Sequence, residues 1–164
     1  MSTGLKQEIA RRWLEHQRLR KAGALYSAIV RLREIESCLE EPTIAVEWRE
    51  LTRAVQFTTT EVNRALEEAQ QRIARLRKVL ATGSRFTYEE ILLVITTRVE
   101  LELFANFCAD RRTGVLVQID DLDGEIIALA KSRENERFFR QAQSAARENW
   151  GLSLKSNWLQ MLTA

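Results

Sequence analysis

Proline is nearly absent from these 164 residues, with one at Pro42, and glycine is scarce, with six. Sheets and loop-rich folds need such residues at their turns, so the shortage argues against them and for long helices. Cysteine is almost as rare. Cys38 and Cys108 show no CxxC spacing and fall inside apolar patterns, so buried, reduced thiols are expected rather than a disulfide scaffold or a zinc site. The longest apolar run, Ile91 to Ile95, is far short of the roughly 20 residues that span a bilayer, and no membrane partner is expected. The opening MSTGLKQEIARRW has no apolar leader core, and glycine does not directly follow the methionine, so neither secretion nor myristoylation is expected. These absences imply a cytoplasmic protein, or a nuclear one in a eukaryote. Neither sign of charge dominates: 25 Lys plus Arg face 23 Asp plus Glu, a formal +2, so only a local cluster could address nucleic acid.

What is present is apolar material in helical periodicity. At 45% hydrophobic and 29% charged, the chain can build one folded domain, or a domain plus an arm. Ile44, Trp48, Leu51, Val55, Thr58, Val62, Leu66, Ala69, Ile73, Leu76 and Leu80 recur at spacings of three or four. That stripe predicts one helix of about ten turns, on the order of 55 Å long, with a charged outer face. Thr58, Thr59 and Thr60 are its weak point, three β-branched residues where a kink could fall, and Gly83 is placed to end it. Upstream, Leu25, Ala28, Ile29, Leu32, Ile35 and Leu39 form a second stripe, continued less cleanly through Leu5, Ile9, Trp13 and Leu14 past Gly23. With Pro42 at the first turn of the second helix, the two are expected to fold back as a long antiparallel hairpin.

Thr87 is a good N-cap for a third helix, with Glu89 and Glu90 suiting its dipole. From Ile91 to Cys108 this helix is apolar almost all round, as expected of an interior helix. Residues 115–130 support two assignments. VLVQI with Asp123-Gly124 signals a short β-hairpin, whereas Ile119, Leu122, Ile126 and Ile127 fit helical spacing. The helix is favoured, running from about Asp121 to Asn149 and closed by Gly151. The expected fold is therefore all-α: a long helical hairpin over 1–82, joined by an apolar helix and C-terminal helices over 84–164, as one bundle with coiled-coil character.

No motif carries catalytic, metal or nucleotide chemistry. His16 has only Arg12 and Arg20 four residues away, and a solvated or weakly packed ring is expected. Asp120, Asp121 and Asp123 before Gly124 resemble the start of a calcium loop. With Gly124 at loop position six, however, the first and last ligand positions hold Ile119 and Ala130. Glu100 and Glu102 diverge by about 200° around a helix and cannot form a two-carboxylate site unaided, but Arg98 offers Glu102 an ion pair one turn away. No cofactor is implied.

Partner chemistry is confined to two features. Arg11, Arg12, Arg18, Arg20 and Lys21 crowd the first helix, and Arg72, Arg75, Arg77 and Lys78 crowd the end of the long stripe. In the expected hairpin these clusters merge into one basic end, with Glu36, Glu40, Glu41, Glu47 and Glu50 toward the other. Such an end suits a phosphate backbone or an acidic protein surface. Trp13 and Trp48 lie on apolar stripes and are assigned to the core, whereas Trp150, Trp158, Leu159 and Leu162 form a C-terminal anchor for a partner. The expected function is a non-enzymatic interaction or scaffold module, forming a homo-oligomer or a subunit of another assembly. The alternative is a nucleic-acid-binding accessory protein using the basic end.

Overall fold

A computed structural model describes residues 3–39, 46–82, 85–107, 113–132 and 135–150. Among the described residues there are seven helices and no strand: α1 (Thr3–Lys21), α2 (Leu25–Cys38), α3 (Val46–Ala54), α4 (Thr59–Leu80), α5 (Tyr88–Phe107), α6 (Thr113–Ala130) and α7 (Glu136–Trp150). They divide into two compact units, 1–69 and 70–164, with the boundary inside α4.

In the first unit each of the two expected long helices is broken. The first ends at Gly23, whose φ of 81° is left-handed. Gly23 N–H donates to the Arg20 carbonyl at 3.1 Å and Ala24 N–H to the Leu19 carbonyl at 2.9 Å. This is a complete Schellman stop, which an L side chain resists at that φ. The chain then reverses, so α1 and α2 are the antiparallel pair. Pro42, the expected turn, lies outside the described residues. The second long helix breaks at 55–58, where a capping box starts α4. Thr58 N–H donates to Glu61 Oε1 and Glu61 N–H to Thr58 Oγ1, both at 3.1 Å.

The α1–α2 seam combines apolar and ionic layers. Ile9 and Ile35 are buried together with Trp13 and Trp48 packed against them. Beside them three arginines and three glutamates close a ring across the two helices. Glu8 joins Arg11, Arg11 joins Glu15, Glu15 joins Arg31, Arg31 joins Glu34, Glu34 joins Arg12, and Arg12 returns to Glu8. Arg12 Nη1 donates to Glu34 Oε2 at 2.6 Å, and the two side chains are only 5% and 1% exposed. Arg12 is therefore not part of an outer charged face. His16 differs from expectation as well: it is 2% exposed, and its Nδ1–H donates to the Ala28 carbonyl at 2.6 Å. Further along, α4 crosses the α1–α2 turn. Glu68 accepts the Tyr26 N–H at 3.0 Å, supplying the cap that Ala24 lacks at the start of α2.

The second unit is built on α5, which packs chiefly on α7 and also on α6. The expected Thr87 cap forms, again as a capping box: Thr87 N–H to Glu90 Oε1 at 3.1 Å and Glu90 N–H to Thr87 Oγ1 at 3.2 Å. Residues 115–130 are helical throughout, with Val115, Ile119, Leu122 and Ile126 buried at spacings of four, three and four. The short hairpin does not form here, because these apolar residues share one helical face that a strand pair would split between two sides. On α6 the Asp123 carboxylate takes Arg98 Nε at 2.5 Å and Nη2 at 2.8 Å, a two-pronged bond from α5. The expected Arg98–Glu102 pair is present at 3.5 Å. The expected helix from Asp121 to Asn149 is interrupted after Ala130. There Asn135, fully buried before α7, accepts the Phe86 N–H on its Oδ1 at 3.3 Å.

Gly23 and Gly124 respond oppositely to substitution. Gly23→Ala lowers stability by about 1–2 kcal/mol, because alanine must adopt a left-handed φ. Gly124→Ala, mid-helix with open space where its Cβ would go, raises it by about 0.5–1 kcal/mol. Denaturant melts read both signs, and a loss at Gly124 would restore the hairpin reading. Within the ring, Glu34→Ala costs about 3 kcal/mol by taking the buried carboxylate from Arg12, which keeps its bond to the more exposed Glu8, whereas Arg12→Met with Glu34→Leu costs much less.

Candidate interaction cleft

The first unit carries an open cleft of about 810 Å³. One wall is α1, contributing Trp13, His16, Gln17, Arg20 and Lys21. The opposite wall is α3 and the link after it, contributing Leu51, Ala54, Val55 and Gln56, with Glu61 closing the end. On α1 these residues recur every three to four positions, so one face of the helix lines the cleft. Trp13 of the α1 wall meets the Trp48 ring of α3 edge to face at 6.2 Å.

Arg20 closes the far end by stitching both sides of the break between α3 and α4. Its Nη2 donates to the Gln56 carbonyl at 2.5 Å, past the end of α3, and its Nε to Glu61 Oε2 at 3.1 Å, in the first turn of α4. The guanidinium also lies 4.5 Å over the Phe57 ring, whose edge meets His16 at 6.3 Å. The Arg20 bond, followed by that of the Thr58 N–H, holds the Glu61 carboxyl below its usual range. Burial keeps the His16 ring neutral at lower pH than usual and outweighs the Ala28 carbonyl, which favours the cation, while Arg20 acts in the same direction as burial.

The predicted basic residues divide into two kinds. Arg11, Arg12 and Arg20 are engaged with glutamates of the same unit, whereas Arg18 and Lys21 are exposed on α1. In the second unit Arg72 is half-buried on α4, and Arg75 and Lys78 are exposed. Of the predicted anchor, Trp158, Leu159 and Leu162 lie outside the described residues, as does the side chain of Trp150. The side chains of Cys38 and Cys108 do too. Among the described residues no group of three or more His, Cys, Asp or Glu side chains is placed to hold a metal ion, and no helix is long and apolar enough to cross a membrane.

Leu51 and Glu61 are cleft residues that the sequence does not mark as a site. A signal for Glu61 is present: Thr58-x-x-Glu61 repeats the capping pattern of Thr87-x-x-Glu90. The apolar stripe places Leu51 in a buried seam, yet on α3 it is 45% exposed. The chain matches no family model, and no curated protein or solved structure is significantly similar to it.

The site should respond to pH in two windows. With its folded pKa below the ordinary 6.5, His16 contributes stability that is complete above that value and is lost as pH falls through it toward the folded pKa. Glu8, held down first by its bond to Arg11, and Glu61 contribute stability present above 4.5 and lost below it. His16→Asn keeps a donor for the Ala28 carbonyl but does not titrate. Melting curves against pH should lose the upper slope in this variant and keep the lower one; an unchanged upper slope would assign it to another group.

Proposed function

We propose that this chain is a non-enzymatic helical interaction module that acts by packing helices against itself or another protein subunit. The α1–α3 cleft is its contact surface. One observation carries this reading: Leu51 on the cleft wall is 45% exposed and Leu14, on the adjoining face of α1, 66% exposed, beside a half-buried Trp13. Large apolar side chains gathered at a concave surface and bordered by polar groups are typical of protein contact sites. The nucleic-acid alternative is less favoured, since Arg12 and Arg20 are already engaged by carboxylates of the same unit.

Purified full-length protein tests the reading by sedimentation across concentration, alongside binding of an environment-sensitive apolar dye. Mass should rise above that of one 19.0 kDa copy, or the dye should bind the free cleft. Leu51→Asp should weaken whichever is seen by about tenfold, as expected for a buried interface leucine. A protein that neither associates nor binds the dye, or one indifferent to Leu51→Asp, would remove the proposal.

A further inference from the structure

The break between α3 and α4 falls where the sequence has no strong helix breaker. Neither proline nor glycine occurs from Val46 to Leu80. Leu51, Val55, Val62 and Leu66 follow at intervals of four, seven and four, which is one face of a single helix once residues 55–58 are wound. In the broken chain the two halves of that face fare differently. Val62 is buried and Leu66 half-buried, whereas Leu51 is 45% exposed. Val55 and Thr58 are β-branched, but such residues lower helix propensity by only a few tenths of a kcal/mol each. The interruption is instead held by bonds made in place of the helical ones.

Each of those bonds occupies a backbone group that a continuous helix would use. In a helix through 55–58 the Gln56 carbonyl takes the Thr60 N–H, the Thr58 N–H goes to the Ala54 carbonyl, and the Glu61 N–H to the Phe57 carbonyl. Here Arg20 Nη2 donates to the Gln56 carbonyl at 2.5 Å, and the Thr58 and Glu61 side chains accept each other's N–H at 3.1 Å. Arg20 Nε also donates to Glu61 Oε2 at 3.1 Å, which steadies the same capping box from α1. These groups therefore have partners in either state. Winding the link needs no new nucleus, since α3 and α4 supply helical turns on both sides, and each added residue is close to neutral in free energy. The balance falls to Arg20, together with the packing of Trp48 on Trp13.

We propose that residues 55–58 are a latched helical joint: with Arg20 engaged α3 and α4 stay separate, and with Arg20 released they wind into one helix from Val46 to Leu80. In the latched form α3 supplies the second wall of the cleft. In the wound form α3 continues the line of α4, and the cleft loses that wall. Arg20 thus sets whether the cleft is present. The device goes beyond the interaction reading and holds whether or not anything occupies the cleft.

Backbone chemical shifts of the full chain, measured by NMR, report the conformation of residues 55–58 directly. The wild type should show non-helical Cα shifts there. Arg20→Met keeps an apolar stem over Phe57 and removes both sets of bonds, and it should raise the helical population of 55–58 by at least about tenfold, as expected for losing charge-assisted bonds. A lock variant separates winding from mere loosening. Thr59 is exposed and opens α4, a position where proline is favoured because its N–H has no helical partner, whereas inside a continuous helix proline is excluded. Adding Thr59→Pro to Arg20→Met should therefore return 55–58 to the non-helical shifts. If Arg20→Met does not fold, Thr58→Ala removes one arm of the capping box at an exposed position and is read in the same way, with the same lock. Helical shifts at 55–58 in the wild type overturn the proposal. So do coil-like or unchanged shifts in the released variant, or helical shifts that survive Thr59→Pro.

Discussion

The carboxylate of Glu34 sits between two helices with its side chain 1% exposed, and much of the first unit follows from keeping it satisfied. Removing such a group from water costs several kcal/mol, which is offset only by well-placed opposite charge and hydrogen bonds. Arg12 from α1 and Arg31 from α2 supply both, and each is in turn held by a glutamate near the surface, Glu8 and Glu15, with Arg11 joining those two. The ring is neutral as a whole. It also favours one register of α1 on α2, because sliding by a turn would set Glu34 opposite Glu8 or His16 instead of Arg12. Apolar layers such as Ile9 against Ile35 tolerate a shift far better, since one branched residue substitutes for another with modest loss.

The same division of labour recurs in the second unit. Helix α5 is apolar on nearly every side, so hydrophobic contact alone does not choose which face meets which neighbour. Arg98 makes the choice. It is buried, and its planar guanidinium matches Asp123 of α6 with two parallel bonds, fixing both rotation and height. Asn135 adds the corresponding constraint ahead of α7 by taking the Phe86 N–H just ahead of α5. Burial supplies the bulk of the driving force in both units, and a few buried polar groups select one arrangement among many.

This explains which parts of the structure were legible in the sequence. Helical periodicity depends on local spacing, so the helical class, the cap at Thr87 and the Arg98–Glu102 pair could be read directly. Helix breaks were harder. Residues on both sides of Gly23 and of Thr58 keep the same apolar phase, and periodicity passes through a turn that preserves phase. Only backbone chemistry marks these breaks: a left-handed glycine in one case and a Thr-x-x-Glu box in the other. The buried polar groups of the first unit were not legible at all. Arg12, His16 and Glu34 look like surface residues in sequence, because what buries them is a partner helix with matching groups at matching heights.

The basic cluster of α1 shows why that distinction matters for function. Read along the chain, Arg11, Arg12, Arg18, Arg20 and Lys21 form one electrostatic feature; in the folded unit they separate by partner. Arg11, Arg12 and Arg20 neutralise glutamates, and the latter two hold α1 to α2 and α4. Lys21 lines the cleft and Arg18 is exposed nearby on the same helix. The positive charge that this cluster offers a partner is therefore much smaller than its count of arginines suggests, and it lies at the end of α1. Two cations beside an exposed leucine are poorly matched to a long phosphate backbone, whose affinity grows with the number of charges neutralised. They suit the proposed helix-packing contact better, because there leucine burial at the α1–α3 cleft dominates over charge.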